Sequence, residues 1–140
     1  QYAVDDMVRQ VIRKYAKIFI SKKIKMNFKP TGRYIVTDDK WFVFVLEQLI
    51  SNALKYTKKG QISIYMKEKS LVIEDTGIGI PAEDLPRIFE KGFTGYNGRE
   101  NKKSTGIGLY LCKNIMDKLQ WNITADSEVG RGTKIYLTKM

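Results

Sequence analysis

Histidine is absent from all 140 residues. That removes a Ser-His-Asp triad, a histidine-ligated metal and a histidine general base from this chain. Cysteine occurs once, at Cys112, so no intrachain disulfide can form, which fits a reducing compartment. Cys112 falls on an apolar helical face with Leu109, Ile115, Met116 and Leu119, and reads as a buried small hydrophobe. Long apolar runs are missing too. The longest, "WFVFVL" at 41–46, is far below the roughly 18 residues a membrane span needs. There is no secretory signal, no low-complexity tract and no repeat with a solenoid period. The chain opens on Gln1 rather than methionine, as expected of a piece of a longer protein, and any membrane anchor would then lie outside it.

What is present suits one globular domain covering residues 1–140. The apolar fraction is 43% and there are 16 aromatic residues, enough for a core without staples. The net charge of +10 favours polyanionic partners in general. The lysines are spread along the chain, so the charge is read as permissive only.

Apolar residues at 4, 7, 8, 11, 12, 15 and 18 have helical spacing. "IKMNF" reads as a strand, and "RYIVTD" as a second after the Pro30-Thr31-Gly32 turn. Asp38 or Asp39 is the expected N-cap of a helix over about 39–57. "QISIYMKE" and "SLVIEDT" form a hairpin. The stretch 76–106 is loop-rich, holding six of eleven glycines and two of three prolines, with one short helix near 82–86. "GLYLCKNIMDKL" is an amphipathic helix, and "WNITADS" and "GTKIYLT" close the chain as a hairpin around "EVGR". The order α-β-β-α-β-β-loop-α-β-β predicts a two-layer α/β sandwich: a mixed, mainly antiparallel sheet with about three helices on one face.

The tetrapeptide Thr-Gly-Ile-Gly occurs twice, at 76–79 and 105–108. The first follows Asp75 at a strand end. A carboxylate there, beside glycines that let a ligand approach, can accept a hydrogen bond from an adenine amine. The same residues equally make an ordinary Asp-x-Gly turn. The second copy precedes a helix, where free N–H groups bind anions, and Arg99, Lys102 and Lys103 lie just upstream. A glycine-rich helix entry beside a solvated basic loop explains it as well. On the helix 39–57, Gln48, Asn52 and Lys55/Tyr56 share a polar stripe. An amide oxygen suits Mg²⁺, an ammonium suits phosphate, and a phenol stacks on a base. A solvated helix face is the alternative.

In this order the pieces resemble the N, G1, F and G2 boxes of the Bergerat-type ATP-binding fold, shared by sensor histidine kinases, Hsp90, DNA gyrase B and MutL. The matches are "EQLISNALKYT", "DTGIGI", "RIFEKGFTG" and "TGIGLYL", followed by the terminal "GTKIYLTKM", and they cover roughly residues 36–138. The N and F boxes look like a histidine kinase catalytic domain, most like those of the intramembrane-sensing, bacitracin-sensor-like kinases of Gram-positive bacteria.

The resemblance implies roles for particular residues. Asn52 would ligate Mg²⁺, Lys55 would contact phosphate and Tyr56 would line the adenine site. Asp75 would bind the adenine amine, with Gly77, Gly79 and Ile80 beside it. Phe89 and Phe93 would anchor an ATP lid over about 82–105. Thr105, Gly106, Gly108 and Leu109 would bring backbone amides to the phosphates, Thr133 would close the adenine pocket, and Arg99, Lys102 or Lys103 would neutralise the γ-phosphate. Asn52, Lys55 and Arg99 form the implied catalytic set. Two departures stand out. Gln48 replaces the usual first asparagine of the N box, where gyrase-like ATPases carry a water-activating Glu. An amide is a poor base, so hydrolysis should be slow. Thr76 replaces the common Asn of the G1 box, a change expected to be tolerated.

The implied activity is transfer of the γ-phosphoryl group of Mg-ATP to a histidine on a separate helical dimerisation domain, and thence to a response regulator. With no histidine, this chain cannot be its own acceptor. The resemblance further implies a monomeric fragment, no nucleic-acid partner, and a cytoplasmic domain reaching the bacterial membrane only through its parent protein. A serine kinase or an ATPase on the same fold, a nucleic-acid binder and a degenerate pseudokinase are the rivals.

Overall fold

The computed structural model describes residues 1–93 and 108–139. The elements run β1 (Tyr2–Ala3), α1 (Val4–Lys22), β2 (Ile24–Phe28), β3 (Tyr34–Ile35), α2 (Asp39–Tyr56), β4 (Gly60–Lys67), β5 (Ser70–Asp75), a 3-10 turn (Leu85–Arg87), α3 (Gly108–Lys118), β6 (Trp121–Glu128) and β7 (Gly132–Lys139). Five strands form the main sheet in the order β2-β4-β5-β7-β6, with β2 parallel to β4 and every other pair antiparallel. The three helices among the described residues cover one face. This is the expected two-layer sandwich.

Local chemistry sets the helix ends. Asp38 is the cap of α2: its Oδ1 accepts from the Trp41 N–H at 3.3 Å. Helix α1 has no side-chain cap, but Asp5 and Asp6 in its first turn favour the positive end of its dipole. Lys23 ends α1 in the left-handed conformation, its N–H donating to Ile20 O at 3.1 Å. Asp5 does more than balance the dipole. Its Oδ1 accepts from the Thr31 N–H (2.8 Å) and hydroxyl (2.7 Å), and its Oδ2 from the Gly32 N–H (3.1 Å).

That clasp explains one departure from the expected strands. The segment 33–38 does not join the main sheet. Only Tyr34–Ile35 is extended, paired antiparallel with Tyr2–Ala3 in a separate two-stranded sheet. With Asp5 holding Thr31, and Val4 N–H donating to Arg33 O at 2.9 Å, the chain is drawn to the start of α1 instead.

Strand alternation divides the sheet into two faces. On the helix-covered face, register aligns Met66, Leu71, Leu137 and Ile123 in one row, and Ile64, Ile73, Ile135 and Ala125 in the next. These pack with Phe42, Leu46, Leu49 and Ile50 of α2 and Cys112 and Met116 of α3 into one core. Each large side chain buried there contributes about 1.5–3 kcal/mol. Cys112 is fully buried, as its sequence context implies, and burial pushes its thiol up to about 12. The other face is polar apart from Val72. Register sets Val72 between Tyr65 and Tyr136, and it is fully buried yet separate from the main core. Burial, then Glu74, which accepts from the Tyr65 hydroxyl at 2.6 Å, pushes that phenol up to about 12.

Candidate functional site

The inner face of the sheet turns polar at one end. One row beyond Ile64-Ile73-Ile135-Ala125, register aligns Ile62, Asp75, Thr133 and Ser127 across four strands. Asp75 is 9% exposed. Its Oδ1 accepts from the Gly77 N–H at 2.9 Å and the Thr133 N–H at 3.2 Å, while Oδ2 has no hydrogen-bond partner among the described residues. Burial is the largest influence on this carboxyl and raises its pKa; the two N–H groups pull the other way without cancelling it. Ser127 Oγ accepts from the Ile80 N–H at 2.8 Å and lies 2.9 Å from Gly132 O and 2.8 Å from Thr133 Oγ1.

The loop after Asp75 is fastened on both sides. Ile78 N–H donates to Tyr56 O at 3.1 Å, and Ile78 O accepts from the Gly130 N–H at 2.9 Å. A Cβ at Gly77 would sit 2.4 Å from Tyr56 O and 2.9 Å from Thr57 Oγ1, so the end of α2 touches this loop directly. Gly79 adopts φ +79°, and a Cβ there would lie 2.3 Å from Glu128 O. Thr76 takes no part in the polar row. Its hydroxyl accepts from the Gln61 N–H at 3.0 Å.

Helix α2 contributes a half-buried stripe comprising Gln48, Ser51, Asn52, Lys55 and Tyr56, between its buried face and solvent. The side chains of Gln48 and Asn52 make no hydrogen bond among the described residues. Lys55 Nζ lies 5.3 Å from the centre of the Tyr56 ring. A Cβ at Gly108, the first residue of α3, would lie 3.0 Å from Gln48 Oε1, so α3 begins against the same stripe. Leu109 packs on the core.

The structure thus brings Tyr56, Asp75, Gly77, Gly79, Ile80 and Thr133 into one cluster. Asn52, Lys55 and Gly108 are tied to it through the α2 stripe. Phe89 packs on the core, and Phe93 lies under the Arg87 guanidinium at 4.7 Å, with no described contact to the cluster. Arg99, Lys102, Lys103, Thr105 and Gly106, with most of the expected lid, lie outside the described residues. The expected short helix near 82–86 is the 3-10 turn Leu85–Arg87, with Pro86 within it.

Sequence reasoning missed two residues here. Ser127 sits in the polar row and holds Ile80. Thr57 is fully buried, and its hydroxyl has no hydrogen-bond partner among the described residues. Alternation could have flagged Ser127, which takes an inward position after Ile123 and Ala125. Thr57 closes the N-box match, but nothing gives it a role before the end of α2 is seen against Gly77.

Residues 37–140 match the family described as histidine kinase-, DNA gyrase B-, and HSP90-like ATPase. Among curated proteins, the sensor histidine kinase YxdK of Bacillus subtilis is 37% identical over 149 residues, covering 99% of this chain and 46% of its own length. The sensor protein BceS of the same organism is 38% identical over 123 residues, 85% of this chain and 37% of its own. The sensor protein kinase GraS of Staphylococcus aureus is 42% identical over 108 residues, 74% of this chain and 31% of its own. The chain spans less than half the length of these relatives. Among solved structures, the nucleotide-free catalytic domain of histidine kinase ThkA superposes with a TM-score of 0.78 at 20% identity, over 99% of this chain and 93% of that one. Full-length ShkA, in complex with AMPPNP, gives 0.79 at 18% identity, over 99% and 31%. At those identities the two structures establish the fold, and among the described residues no helix is long and apolar enough to cross a membrane. The chain belongs to the histidine kinase-, DNA gyrase B- and HSP90-like ATPase family, as a catalytic domain of the bacitracin-sensor-like sensor histidine kinases.

Proposed function

We propose that this chain binds Mg-ATP and donates the γ-phosphoryl group to a histidine on a separate dimerisation domain, which passes it to a response regulator. The observation that carries the reading is the polar end of the sheet's inner face. Asp75 is buried there, with one oxygen held by two backbone N–H groups and the other left without a partner among the described residues. An uncommitted acceptor oxygen on a mostly buried carboxyl is suited to a ligand amine. The orphaned Thr57 hydroxyl beside Gly77 is a second polar atom that fits a ligand or bridging water.

On this reading Asp75 binds the adenine amine. Thr133, Gly77, Gly79 and Ile80 wall the base, and Tyr56 closes it on the α2 side. Asn52 presents an uncommitted amide on the α2 stripe, the donor type that suits Mg²⁺ among waters and phosphates. When bound, the ion would neutralise phosphate charge. Lys55 supplies a cation beside it, and the α3 end at Gly108 and Leu109 faces the phosphates. Arg99, Lys102 and Lys103 would add lid cations over residues 82–105. Positioning and charge neutralisation are most of what phosphoryl transfer needs from a protein. Gln48 is an amide where hydrolysing relatives of the fold need a base, so transfer is favoured over hydrolysis.

The finer expectations belong to the same proposal: one domain over 1–140, a monomeric fragment, and membrane attachment through the parent protein. Calorimetry is expected to show Mg-dependent ATP binding, with Asn52→Ala removing most of the metal dependence. Adding a helical domain that carries the parent's histidine should give a phosphohistidine from labelled ATP. Absence of ATP binding would end the proposal, and label appearing on serine would move it to the serine-kinase alternative.

A further inference from the structure

The charge of this chain is not spread evenly after all. Residues 7–37 hold nine Lys and Arg and no Asp or Glu, so all but one of the ten net positive charges arise there. These residues form most of α1, the edge strand β2 and β3. Three of the cations are used internally: Lys14 pairs with Glu47, Lys22 donates to Leu54 O, and the Arg9 guanidinium lies over the Phe28 ring, 5.4 Å from its centre. Arg13, Lys17, Lys23, Lys25 and Lys29 are exposed and make no ion pair among the described residues.

Helical periodicity gathers part of this charge on one outer stripe. Arg9, Arg13, Lys17 and Ile20 follow one another along α1, with Ala16 between them. Ile20 is 77% exposed. Beside it an open trough of about 440 Å³ runs between α1 and β2, floored by Ile12, Ala16, Phe19 and Met26, with Lys23 and Lys25 at its rim.

We infer that this face of α1 and β2 docks on an anionic lipid surface. Cations on long stems around an exposed isoleucine and an apolar trough match a fluid bilayer. Headgroup phosphates neutralise the charge, and the interfacial region accepts the apolar side chains. Nucleic acid fits less well. On α1 and β2 the aromatic residues are not exposed for stacking, and phosphodiesters make no use of Ile20. Strand order puts β2 at the edge opposite β6, two strands from Asp75 and four from Ser127. The contact is the chain's own, additional to any anchoring through a parent protein, and it does not depend on the proposed phosphotransfer.

Co-sedimentation of this chain with vesicles tests the inference. Binding is expected to vesicles of equal parts phosphatidylcholine and phosphatidylglycerol, and not to phosphatidylcholine alone. Reversing two charges, Arg13→Glu with Lys17→Glu, should weaken it by about tenfold or more. Ile20→Ser should weaken it about threefold or more and leave the remainder more sensitive to salt. Unchanged Tm values would show that both variants fold. Should either not fold, a fluorophore on Ile20→Cys gives a second measurement, since buried Cys112 does not compete for label. Its emission should shift blue with the anionic vesicles only. Equal binding to both vesicle types, wild-type binding by the charge-reversed variant, or no emission shift overturns the inference. So does duplex DNA bound as tightly as the anionic vesicles with both indifferent to Ile20→Ser, which would mark a plain polycation.

Discussion

Replacing Asp75 by Asn separates a ligand-binding carboxylate from a structural one. The side chain is 9% exposed, and both of its described hydrogen bonds end on Oδ1. Asn keeps that acceptor for Gly77 and Thr133. What it changes is the charge and the second oxygen, which becomes a donor facing the donor of an adenine amine. Losing a hydrogen bond to a charged group costs about 1.5–3 kcal/mol, so ATP affinity should fall by about 10- to 150-fold. The stability of the ligand-free protein should move the other way. Burial raises this carboxyl's pKa, so the folded chain holds its proton more tightly than the unfolded one. Stability therefore declines as pH rises from the unfolded pKa through the folded one, and the cost is complete above the folded one. Asn removes it. Ligand-free Asp75→Asn should melt at or above the wild-type temperature at pH 7, with the advantage disappearing in acid. Wild-type ATP affinity should drop as pH falls through the raised pKa, earlier than an ordinary carboxylate would dictate, and the variant should lack that drop. Calorimetry and thermal melts across pH measure both. Affinity within about threefold of wild type, or a variant that melts several degrees lower at pH 7, would refute the reasoning.

Two other substitutions probe the supports of the site, and a third probes the clasp at the start of α1. Gly79→Ala puts a Cβ 2.3 Å from Glu128 O at φ +79° and should cost about 1–3 kcal/mol in denaturant unfolding. Ser127→Ala leaves the Ile80 N–H without its acceptor and should lose about 1–3 kcal/mol of stability, with nucleotide affinity falling as Thr133 loses its hydroxyl partner. Asp5→Ala opens the clasp on Thr31 and Gly32 and should cost about 1–2 kcal/mol, a figure discounted for the carboxylate's partial exposure. The pKa of Asp5 is lowered: burial, its largest influence, raises it, but the hydrogen bonds from Thr31 and Gly32 and the charge of Arg9 together outweigh burial. Its contribution should be complete above the ordinary carboxylate pKa and fade as pH falls through the lowered one, so wild type and variant should converge in strong acid.

Most of the fold was legible because its signals are local. Periodicity marks α1 and α2, alternation marks the two hairpins, and Asp38 caps α2 as its place in the sequence suggests. The segment 33–38 was misread because its partner is remote. Strand propensity there is real, but Asp5, 26 residues away, decides where the chain goes. The charge was misread for a related reason. Counting Lys and Arg shows an even spread, and only the absence of acids between residues 7 and 37 makes it local.

The site was half legible, and the missing half is a matter of register. Asp75 and its glycines form a motif that sequence can show. Thr133 and Ser127 are single polar residues in separate strands, and each alone is unremarkable in a hairpin. Pairing makes them neighbours: Asp75 opposes Thr133, and Thr133 opposes Ser127. Each stands where alternation calls for an apolar residue facing the helices, and each such departure costs free energy unless its polar atoms are paired. Three departures in one row, on strands that otherwise keep their pattern, do not arise from three independent tolerances. On the proposed reading they mark the edge where packing ends and nucleotide recognition begins. Gly77 of the first Thr-Gly-Ile-Gly segment and Gly108, the last residue of the second, serve the same physical need. Gly77 lets the loop pass where an added Cβ would meet Tyr56 O at 2.4 Å, and Gly108 lets α3 start where one would meet Gln48 Oε1 at 3.0 Å. Backbone without side chains is needed wherever elements close on a pocket from opposite ends, and that need recurs here without any duplication of the chain.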